Sequence, residues 1–240
     1  MIDLHCHILP ELDDGALDLD DSLAMARQAQ ADGIAAVCAT PHIRHDHNVR
    51  IEEIVARVGS LQAHLDANGI GIQILPGGEL AQTEAERLSD AQLRSVTLGG
   101  DGGWVLLEPA PGPLDDALNE TVTQLARRGF RAIIAHPERH AGADFSERLR
   151  ALVSAGCLIQ WTAEFIAQTA PGDLTLELAR QGLVHLLGSD AHSSHAGRSV
   201  ALAAGFAALA SVRSPEQLAW TVRDAPQAIV RADTTVTPPA

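Results

Sequence analysis

One unit recurs along the chain and constrains its fold more than any other feature. A helical stretch ends in glycine, a short apolar run follows, and polar residues close the unit; two runs lack the leading glycine. Glycine after a helix supplies the left-handed residue that ends it. Short apolar runs between helices are typical of strands buried on both faces of a parallel sheet. The pattern predicts strands within residues 2–4, 34–39, 70–75, 104–107, 130–135, 157–161 and 183–187.

The number of these units predicts an α/β fold. Between the runs, apolar residues recur at helical spacing, as at Ile54, Val58, Leu61 and Leu65. Seven strand–helix units in 240 residues predict a closed or nearly closed α/β barrel, with an open doubly wound sheet as the alternative. We expect a single domain over residues 1–231. The tail, residues 232–240, lacks periodicity and is expected to be frayed.

The charge balance excludes several classes of partner. The chain has 17 Lys and Arg residues against 31 Asp and Glu residues, a formal net charge of −14. Because nucleic-acid binding needs a basic face, we expect no nucleic-acid partner. The longest nearly apolar stretch, residues 199–212, is shorter than the ~20 residues of a membrane span. No secretory signal precedes the first predicted strand, so we expect no membrane insertion and a cytoplasmic location.

Side chains that bind divalent metals follow six of the seven predicted strands, at the end where barrel enzymes carry their chemistry. His5 and His7 are two residues apart and so face the same side of an extended backbone, and Asp190 and His192 repeat that spacing. Imidazole and carboxylate without thiolate favour Mn, Fe or Zn, and nine ligands with bridging carboxylates suit two or three ions. The predicted ligands are His5, His7, Asp14, His42, Glu79, Glu108, His136, Asp190 and His192.

The charge of this set points to a phosphate substrate. Four carboxylates gathered in one pocket are costly without cations. Three divalent ions more than neutralise them and leave a positive centre within an acidic protein, which suits a phosphate dianion. Arg139, three residues after His136, and Arg198, six residues after His192, are predicted to add bidentate contacts to phosphate. Surface positions or structural ion pairs are the alternative for both arginines.

A second motif indicates a competing phosphatase chemistry. Cys38 and Arg44 have the C-x5-R spacing of cysteine phosphatases, in which a loop of backbone N–H groups cradles the phosphate. The residues between them include no glycine, and Pro41 removes one donor. Cys38 also lies within an apolar run. We therefore favour the metal-dependent chemistry.

These residues resemble the PHP (polymerase and histidinol phosphatase) superfamily, and most of all the bacterial metal-dependent protein-tyrosine phosphatases of capsule and exopolysaccharide loci. The opening segment MIDLHCHILPELDDG carries the resemblance, and further motifs follow in the same order up to about residue 198. One departure is the spacing from Asp190 to Arg198, which is one residue longer than the usual pattern. The further motifs are Thr40-Pro41-His42, Gly78-Glu79, Leu107-Glu108, His136-Pro137-Glu138-Arg139 and Ser189-Asp190-Ala191-His192.

The resemblance implies a distorted (β/α)7 TIM-like barrel of PHP type with three metal ions, often manganese. It implies that the nine residues named above are the ligands and that Arg139 and Arg198 hold the phosphoryl group. The implied substrate is phosphotyrosine on a cognate autokinase with a tyrosine-rich tail. The expected reaction is hydrolysis of a phosphate monoester by metal-activated water.

Three other functions stay open from the sequence. A small-molecule phosphatase of the same superfamily, acting for example on histidinol phosphate, is the first alternative. An amidohydrolase-like deacylase is the second. A regulatory or metal-storing module without catalysis is the third, and it would be expected to lack some ligands. Because none of the nine is missing, the sequence favours an enzyme.

Overall fold

Strands and helices alternate along the chain, as the repeated unit predicts. The computed structural model describes residues 1–100, 102–170, 172–233 and 235–239. The strands are β1 Ile2–Cys6, β2 Ala36–Ala39, β3 His42–Ile43, β4 Gln73–Pro76, β5 Glu79–Ala81, β6 Trp104–Glu108, β7 Arg131–Ala135, β8 Leu158–Thr162 and β9 Leu186–Gly188. All seven predicted apolar runs therefore contribute a strand.

Helices occupy the segments between the strands, joined by short 3₁₀ turns and one π turn at Trp220–Asp224. Within the part of the chain that the structure describes, no helix has both the length and the apolar character needed to cross a membrane. The helices are α1 Leu19–Ala31, α2 Ile54–Ala67, α3 Asp90–Ser95, α4 Asp116–Arg127, α5 Phe145–Ser154, α6 Ala163–Ala167, α7 Leu174–Arg180, α8 Ala203–Leu209, α9 Pro215–Ala219 and α10 Ala225–Val230.

The strands form two sheets in which every neighbouring pair is parallel. The orders are β1-β2-β4 and β3-β5-β6-β7-β8-β9. The chain passes from β2 to β3 through Thr40-Pro41 and from β4 to β5 through Gly77-Gly78. Proline has no backbone N–H to donate to a ladder, and glycine accepts bends, so both interruptions have a local cause. The short strands β3 and β5 thus follow two of the seven predicted strands, at positions where the sequence predicted only polar clusters.

Backbone hydrogen bonds also join the two sheets between β1 and β9. The Asp190 N–H donates to the His5 carbonyl at 2.8 Å, and the His7 N–H donates to the Ala191 carbonyl at 2.9 Å. Between β4 and β6, a loop intervenes, with the Gly99 N–H bonded to the Pro76 carbonyl at 2.8 Å. The seven strand positions therefore form a distorted ring, and the predicted α/β class with a TIM-like parallel arrangement is confirmed.

Apolar side chains fill both sides of the sheets. The predicted inner face of α2 is buried at Ile54, Val58, Leu61 and Leu65. Trp161 on β8 is 1% exposed and packs edge-on against another core ring. Each such side chain stabilises the fold by about 2 kcal/mol when it leaves water. This burial fixes the register of the strands and hence the position of the polar residues at their ends.

The tail predicted to be frayed includes positions 234 and 240, which lie outside the described residues. Just before them, the Asp233 carbonyl accepts a hydrogen bond of 2.8 Å from the indole Nε1 of Trp104. The single-domain boundary at residue 231 stays a prediction.

His185 gives the fold a pH-dependent stability. Burial, and then the charge of Arg213, lower its pKa to about 4, and its Nδ1 accepts the Ile159 N–H at 3.1 Å. Because the unfolded imidazole has a pKa of about 6.5, the unfolded state takes up the proton first. The contribution of neutral His185 to the free energy of unfolding is therefore present above pH 6.5 and is lost as the pH falls toward 4. Between pH 7 and 5.5 we expect this group to lower the free energy of unfolding by about 1 kcal/mol.

Urea unfolding at both pH values, with chelator present, measures this difference. His185→Gln keeps an acceptor and removes the titration, so its pH dependence should be shallower by that amount. Equal pH dependence in the two proteins would contradict the assignment.

Candidate metal centre

All nine predicted ligands lie at one end of the parallel strands. His42 and Glu79 begin the short strands β3 and β5, and the other seven lie at or after the carboxyl ends of β1, β6, β7 and β9. His5 belongs to β1, His42 to β3, Glu79 to β5 and Glu108 to β6, so sheet register sets their positions. His42 and Glu79 are register partners, which brings their side chains to the same level. The other five, which lie on the segments that follow β1, β7 and β9, are His7, Asp14, His136, Asp190 and His192.

The Glu79 carboxylate lies at the middle of the cluster. Its Oε2 is 3.3 Å from His5 Nε2, 3.2 Å from His7 Nε2 and 3.0 Å from His42 Nδ1. Its Oε1 is 2.7 Å from His136 Nε2. Glu79 is completely buried, so one carboxylate is shared among four imidazoles away from solvent.

Two further carboxylates extend the cluster toward solvent. Asp190 Oδ1 lies 3.5 Å from His5 Nε2 and 3.6 Å from His192 Nδ1. Asp14 Oδ1 lies 3.4 Å from His42 Nε2 and 3.6 Å from His192 Nε2. The Asp190 side chain is buried, whereas that of Asp14 is 55% exposed. The cluster therefore has a closed inner end and an open outer end.

Four overlapping groups within the cluster have the geometry to hold a cation. In each group the ligand atoms all lie within 4.8 Å of one another. Every one of the nine residues belongs to at least one group, and His5, His7, His42 and Glu79 each belong to two. The groups are His7, Asp14, His42 and His192; His5, His136 and Asp190; His5, His7 and Glu79; and His42, Glu79 and Glu108.

Unsatisfied polar atoms show that these residues fit divalent cations. Among the described residues, His42 Nδ1, Glu79 Oε2 and His136 Nδ1 are buried without a hydrogen-bond partner. Burial of such atoms costs free energy unless an ion or another group binds to their lone pairs. Burial, and then the negative charge of Glu79, raise the pKa of Glu108. A cation between the two carboxylates removes that repulsion.

Protons and cations compete for the same atoms in this cluster. Burial opposes ionisation of Glu79, but the attraction of His5, the hydrogen bond with His136 and the close approach of His42 hold its pKa well below the usual range. Burial likewise opposes the charge on His7, yet the hydrogen bond to Asp13 and the close approach of the Glu79 carboxylate raise its pKa to about 10. A proton on a ligating nitrogen and a metal ion at that nitrogen exclude each other.

Two residues that the ligand prediction omitted, both with buried side chains, orient two of the predicted ligand rings. Asp13 Oδ2 lies 2.8 Å from His7 Nδ1 and also accepts the His42 N–H at 2.9 Å. Gln160 Oε1 lies 2.9 Å from His5 Nδ1. In both histidines a hydrogen bond fixes Nδ1, the ring nitrogen that faces away from the cluster, and Nε2 is left directed at the cluster. Of the adjacent residues Asp13 and Asp14, Asp14 therefore faces the cluster, whereas Asp13 contacts the His7 ring on the side away from the cluster.

Asp13→Asn is expected to weaken metal binding by about 10- to 100-fold, because an amide cannot hold the His7 ring and polarise it as a carboxylate does. Competition with a metal-sensitive dye would measure the affinity for Mn²⁺, and Asp20→Asn on the exposed face of α1 serves as the charge-matched control. Unchanged affinity in Asp13→Asn would remove Asp13 from this role.

Local backbone geometry at the cluster departs from the regular pattern. His136 and Asp190 have φ values of 29° and 49°, in the left-handed region that non-glycine residues rarely adopt. Such strain concentrates at functional sites, where packing over-determines the conformation. Gly15 permits close approach, since a Cβ there would lie 2.6 Å from His7 Cβ. The glycine of the Asp-Asp-Gly motif is therefore required sterically.

Three arginines lie at the edge of the cluster. Arg139 Nη2 contacts Asp190 Oδ2, and Arg198 reaches the same oxygen at 2.9 Å and the Asp190 carbonyl at 2.8 Å. The structure thus brings both predicted arginines to one carboxylate. Arg44, which the metal-site prediction omitted, lies 3.5 Å from Glu108 Oε2 and 3.1 Å from His47 Nε2. In the sequence it stood out only through its C-x5-R spacing from Cys38, which indicated a different chemistry.

The alternative cysteine chemistry has no support in the structure. Cys38 lies in the middle of β2 and is completely buried. Burial, and then the negative charge of Asp3, raise the pKa of its thiol. A reactive cysteine needs a thiolate and access to substrate, and Cys38 has neither.

Comparison with known proteins agrees with this arrangement. The tyrosine-protein phosphatase YwqE of Bacillus subtilis is 34% identical over 200 residues, which is 80% of this chain and 78% of that protein. The putative tyrosine-protein phosphatase CapC of Staphylococcus aureus is 27% identical over 200 residues, covering 80% of this chain and 77% of that protein.

A solved structure extends the similarity to the whole fold. It belongs to a study of YwqE from Bacillus subtilis and CpsB from Streptococcus pneumoniae, described as metal-dependent tyrosine phosphatases. It superposes with a TM-score of 0.83 at 27% identity and covers 100% of this chain and 97% of that one. The family profile for capsular polysaccharide synthesis, CpsB/CapC, matches residues 1–231. On these grounds the chain belongs to the CpsB/CapC family of capsular polysaccharide synthesis proteins.

Proposed function

We propose that this protein is a metal-dependent phosphomonoesterase that removes phosphate from phosphotyrosine. The convergence of nine metal-binding side chains beside two arginines is the observation that carries the proposal. Its relatives YwqE and CpsB are tyrosine-protein phosphatases, which supports the same reaction here. All nine predicted ligands are present, which a non-catalytic module would not require.

The nine residues are proposed to hold two or three divalent ions, with Mn²⁺ as the preferred metal and Fe or Zn as the alternatives. The ligands are imidazole and carboxylate groups, and the three cysteines, which are all buried, belong to none of the four groups that can hold a cation. When bound, such ions lower the pKa of a coordinated water toward neutrality and offset charge on a phosphoryl group.

The protein's own residues have separate parts in this reaction. Arg139 and Arg198 are proposed to bind the phosphoryl oxygens, since their guanidinium groups already meet at one carboxylate oxygen of Asp190. Asp13 and Gln160 keep the His7 and His5 rings in place. A tyrosinate leaving group has a pKa of about 10 in solution, so it departs more readily than an alkoxide does.

The proposed physiological substrate is a cognate tyrosine autokinase with a tyrosine-rich tail, in capsule or exopolysaccharide synthesis. The family assignment supports that setting. We further propose that the protein acts in the cytoplasm, where the phosphorylated tail of such a kinase would be met.

Rates on three substrates test the proposed function. With Mn²⁺ present, we expect hydrolysis of a phosphotyrosyl peptide to exceed that of a phosphoseryl peptide and of histidinol phosphate, and EDTA to stop it. Cys38→Ser is the control and should keep full rate. Activity that survives chelation but is lost in Cys38→Ser would overturn the proposal, and a preference for histidinol phosphate would replace it with a small-molecule phosphatase.

A further inference from the structure

A cavity of about 390 Å³ adjoins the metal centre on the side of α6. Its lining includes Glu138, Arg139, Thr162, Phe165 and Arg198, and we refer to it as the Phe165 pocket. Both of its arginines contact Asp190, so the pocket begins where the proposed phosphoryl site ends. Its volume falls within the range of small-ligand sites, roughly 300–1,000 Å³.

The pocket presents an aromatic surface next to that phosphoryl site. Phe165 lies on α6, and its side chain remains 42% exposed. Its ring centroid is 6.1 Å from that of Trp161, which is buried in the core and supports the ring from below. Ring pairs at such distances gain free energy from stacking beyond the area they bury. An aromatic group of a ligand can therefore stack on the Phe165 ring, whose position is fixed by Trp161.

Two polar atoms in the same pocket lack partners. Among the residues that the structure describes, Thr162 Oγ1 and Glu138 Oε2 are buried and form no hydrogen bond. Thr162 is only 3% exposed, and the other oxygen of Glu138 accepts the Thr162 N–H at 2.9 Å. Buried oxygens without a donor are costly, so a donor on a bound ligand would be favoured at either of them.

We propose that the Phe165 pocket binds the leaving group of a phosphotyrosyl peptide. The tyrosyl ring packs on Phe165, and a backbone N–H of the peptide donates to Thr162 Oγ1. This inference rests on the proposed function and extends it to a residue that determines substrate specificity. The carboxylate of Glu138 also disfavours a second anionic group on the leaving-group side.

Phosphoserine would use this pocket poorly. Its short side chain leaves no ring to cover Phe165, so the exposed aromatic surface would stay in water. A phenyl ring that stacks there gains about tenfold in affinity from packing and burial together. The pocket therefore selects an aryl phosphate through the leaving group, while the arginines bind the phosphoryl group that all monoesters share.

Binding of two phosphonates to the Mn²⁺-loaded protein isolates the ring. Calorimetry gives the ratio of affinities for phenylphosphonate and methylphosphonate, which differ only in the group that would meet Phe165. We expect a ratio of about ten in the unaltered protein and a ratio near one in Phe165→Ala. Val55→Ala, at an exposed apolar position on α2, is the control and should keep the ratio. An unchanged ratio in Phe165→Ala would overturn the inference, as would equal affinities in the unaltered protein.

Thr162→Val tests the polar half of the pocket with a side chain of nearly the same shape. Its affinity for a peptide containing a non-hydrolysable phosphonate analogue of phosphotyrosine should fall about fivefold, while its affinity for phenylphosphonate should not change. Equal losses for both ligands would contradict the proposed backbone contact.

Failure of the inference and failure of the proposed function are distinguishable. If the unaltered protein cleaves phosphotyrosyl peptides but Phe165→Ala keeps the phosphonate ratio, the pocket assignment fails alone. If the ratio behaves as expected but no phosphotyrosyl peptide is cleaved, the proposed function fails.

Discussion

Replacing Glu79 with glutamine is expected to remove both the bound metal and the phosphatase activity. Four imidazoles approach this one carboxylate, and it belongs to two of the four groups that can hold a cation. Glutamine keeps the shape but has no charge with which to bridge two ions. We expect the rate on a phosphotyrosyl peptide to fall by about a thousandfold or more, since metal chemistry supplies several kcal/mol of barrier lowering.

Metal content and rate should be measured on the same Glu79→Gln preparation, with circular dichroism to verify folding. Glu84→Gln is the matched control, because Glu84 is also shielded from solvent but belongs to none of the cation-binding groups. A Glu79→Gln protein with full activity and no metal deficit would contradict the central place of this carboxylate.

Arg139→Ala is expected to keep its metal and lose rate. The guanidinium group lies beside the cluster and not within it. There it can stabilise the negative charge that develops on the phosphoryl oxygens in the transition state. Loss of one such electrostatic contact costs roughly 3 kcal/mol, which is about a hundredfold in kcat/KM. Arg139→Lys should recover part of the rate, since lysine retains the charge but not the planar pair of donors.

Arg148→Ala is the control for this experiment, because Arg148 forms its ion pairs with Asp116 and Asp144 on the protein surface. Steady-state kinetics and metal analysis together separate the two possible roles of Arg139. An unchanged kcat/KM would remove Arg139 from the site, whereas a metal deficit would make it a support for Asp190 instead.

The positions of the strands could be predicted from the sequence because burial on two faces leaves an unmistakable apolar run. The two short strands β3 and β5 could not be predicted, because they lie in segments that read as polar clusters. β3 and β5 are too short to carry a periodic pattern, and their pairing follows from bends at Pro41 and at Gly77-Gly78. That pairing places His42 against Glu79, which the sequence shows only as two separate polar clusters.

The side chains at the cluster could be named in advance because they are chemically distinctive and recur after successive strands. The residues that support them could not be. Asp13 adjoins Asp14 in sequence and looks equivalent. Only the folded structure distinguishes them, because Asp13 contacts His7 Nδ1 whereas Asp14 lies beside His42 and His192. Gln160 has no signal at all, since an amide on a buried strand is recognised only by what it contacts.

Side chains from across the whole chain are proposed to hold several cations together at one end of the barrel. Anomalous diffraction from crystals of the Mn²⁺-loaded protein tests this proposal most directly. We expect two or three anomalous peaks a few ångströms apart, each within bonding distance of His, Asp or Glu atoms among the nine named ligands. A fully active protein with no peak at this position, or with a single peak elsewhere, would contradict it.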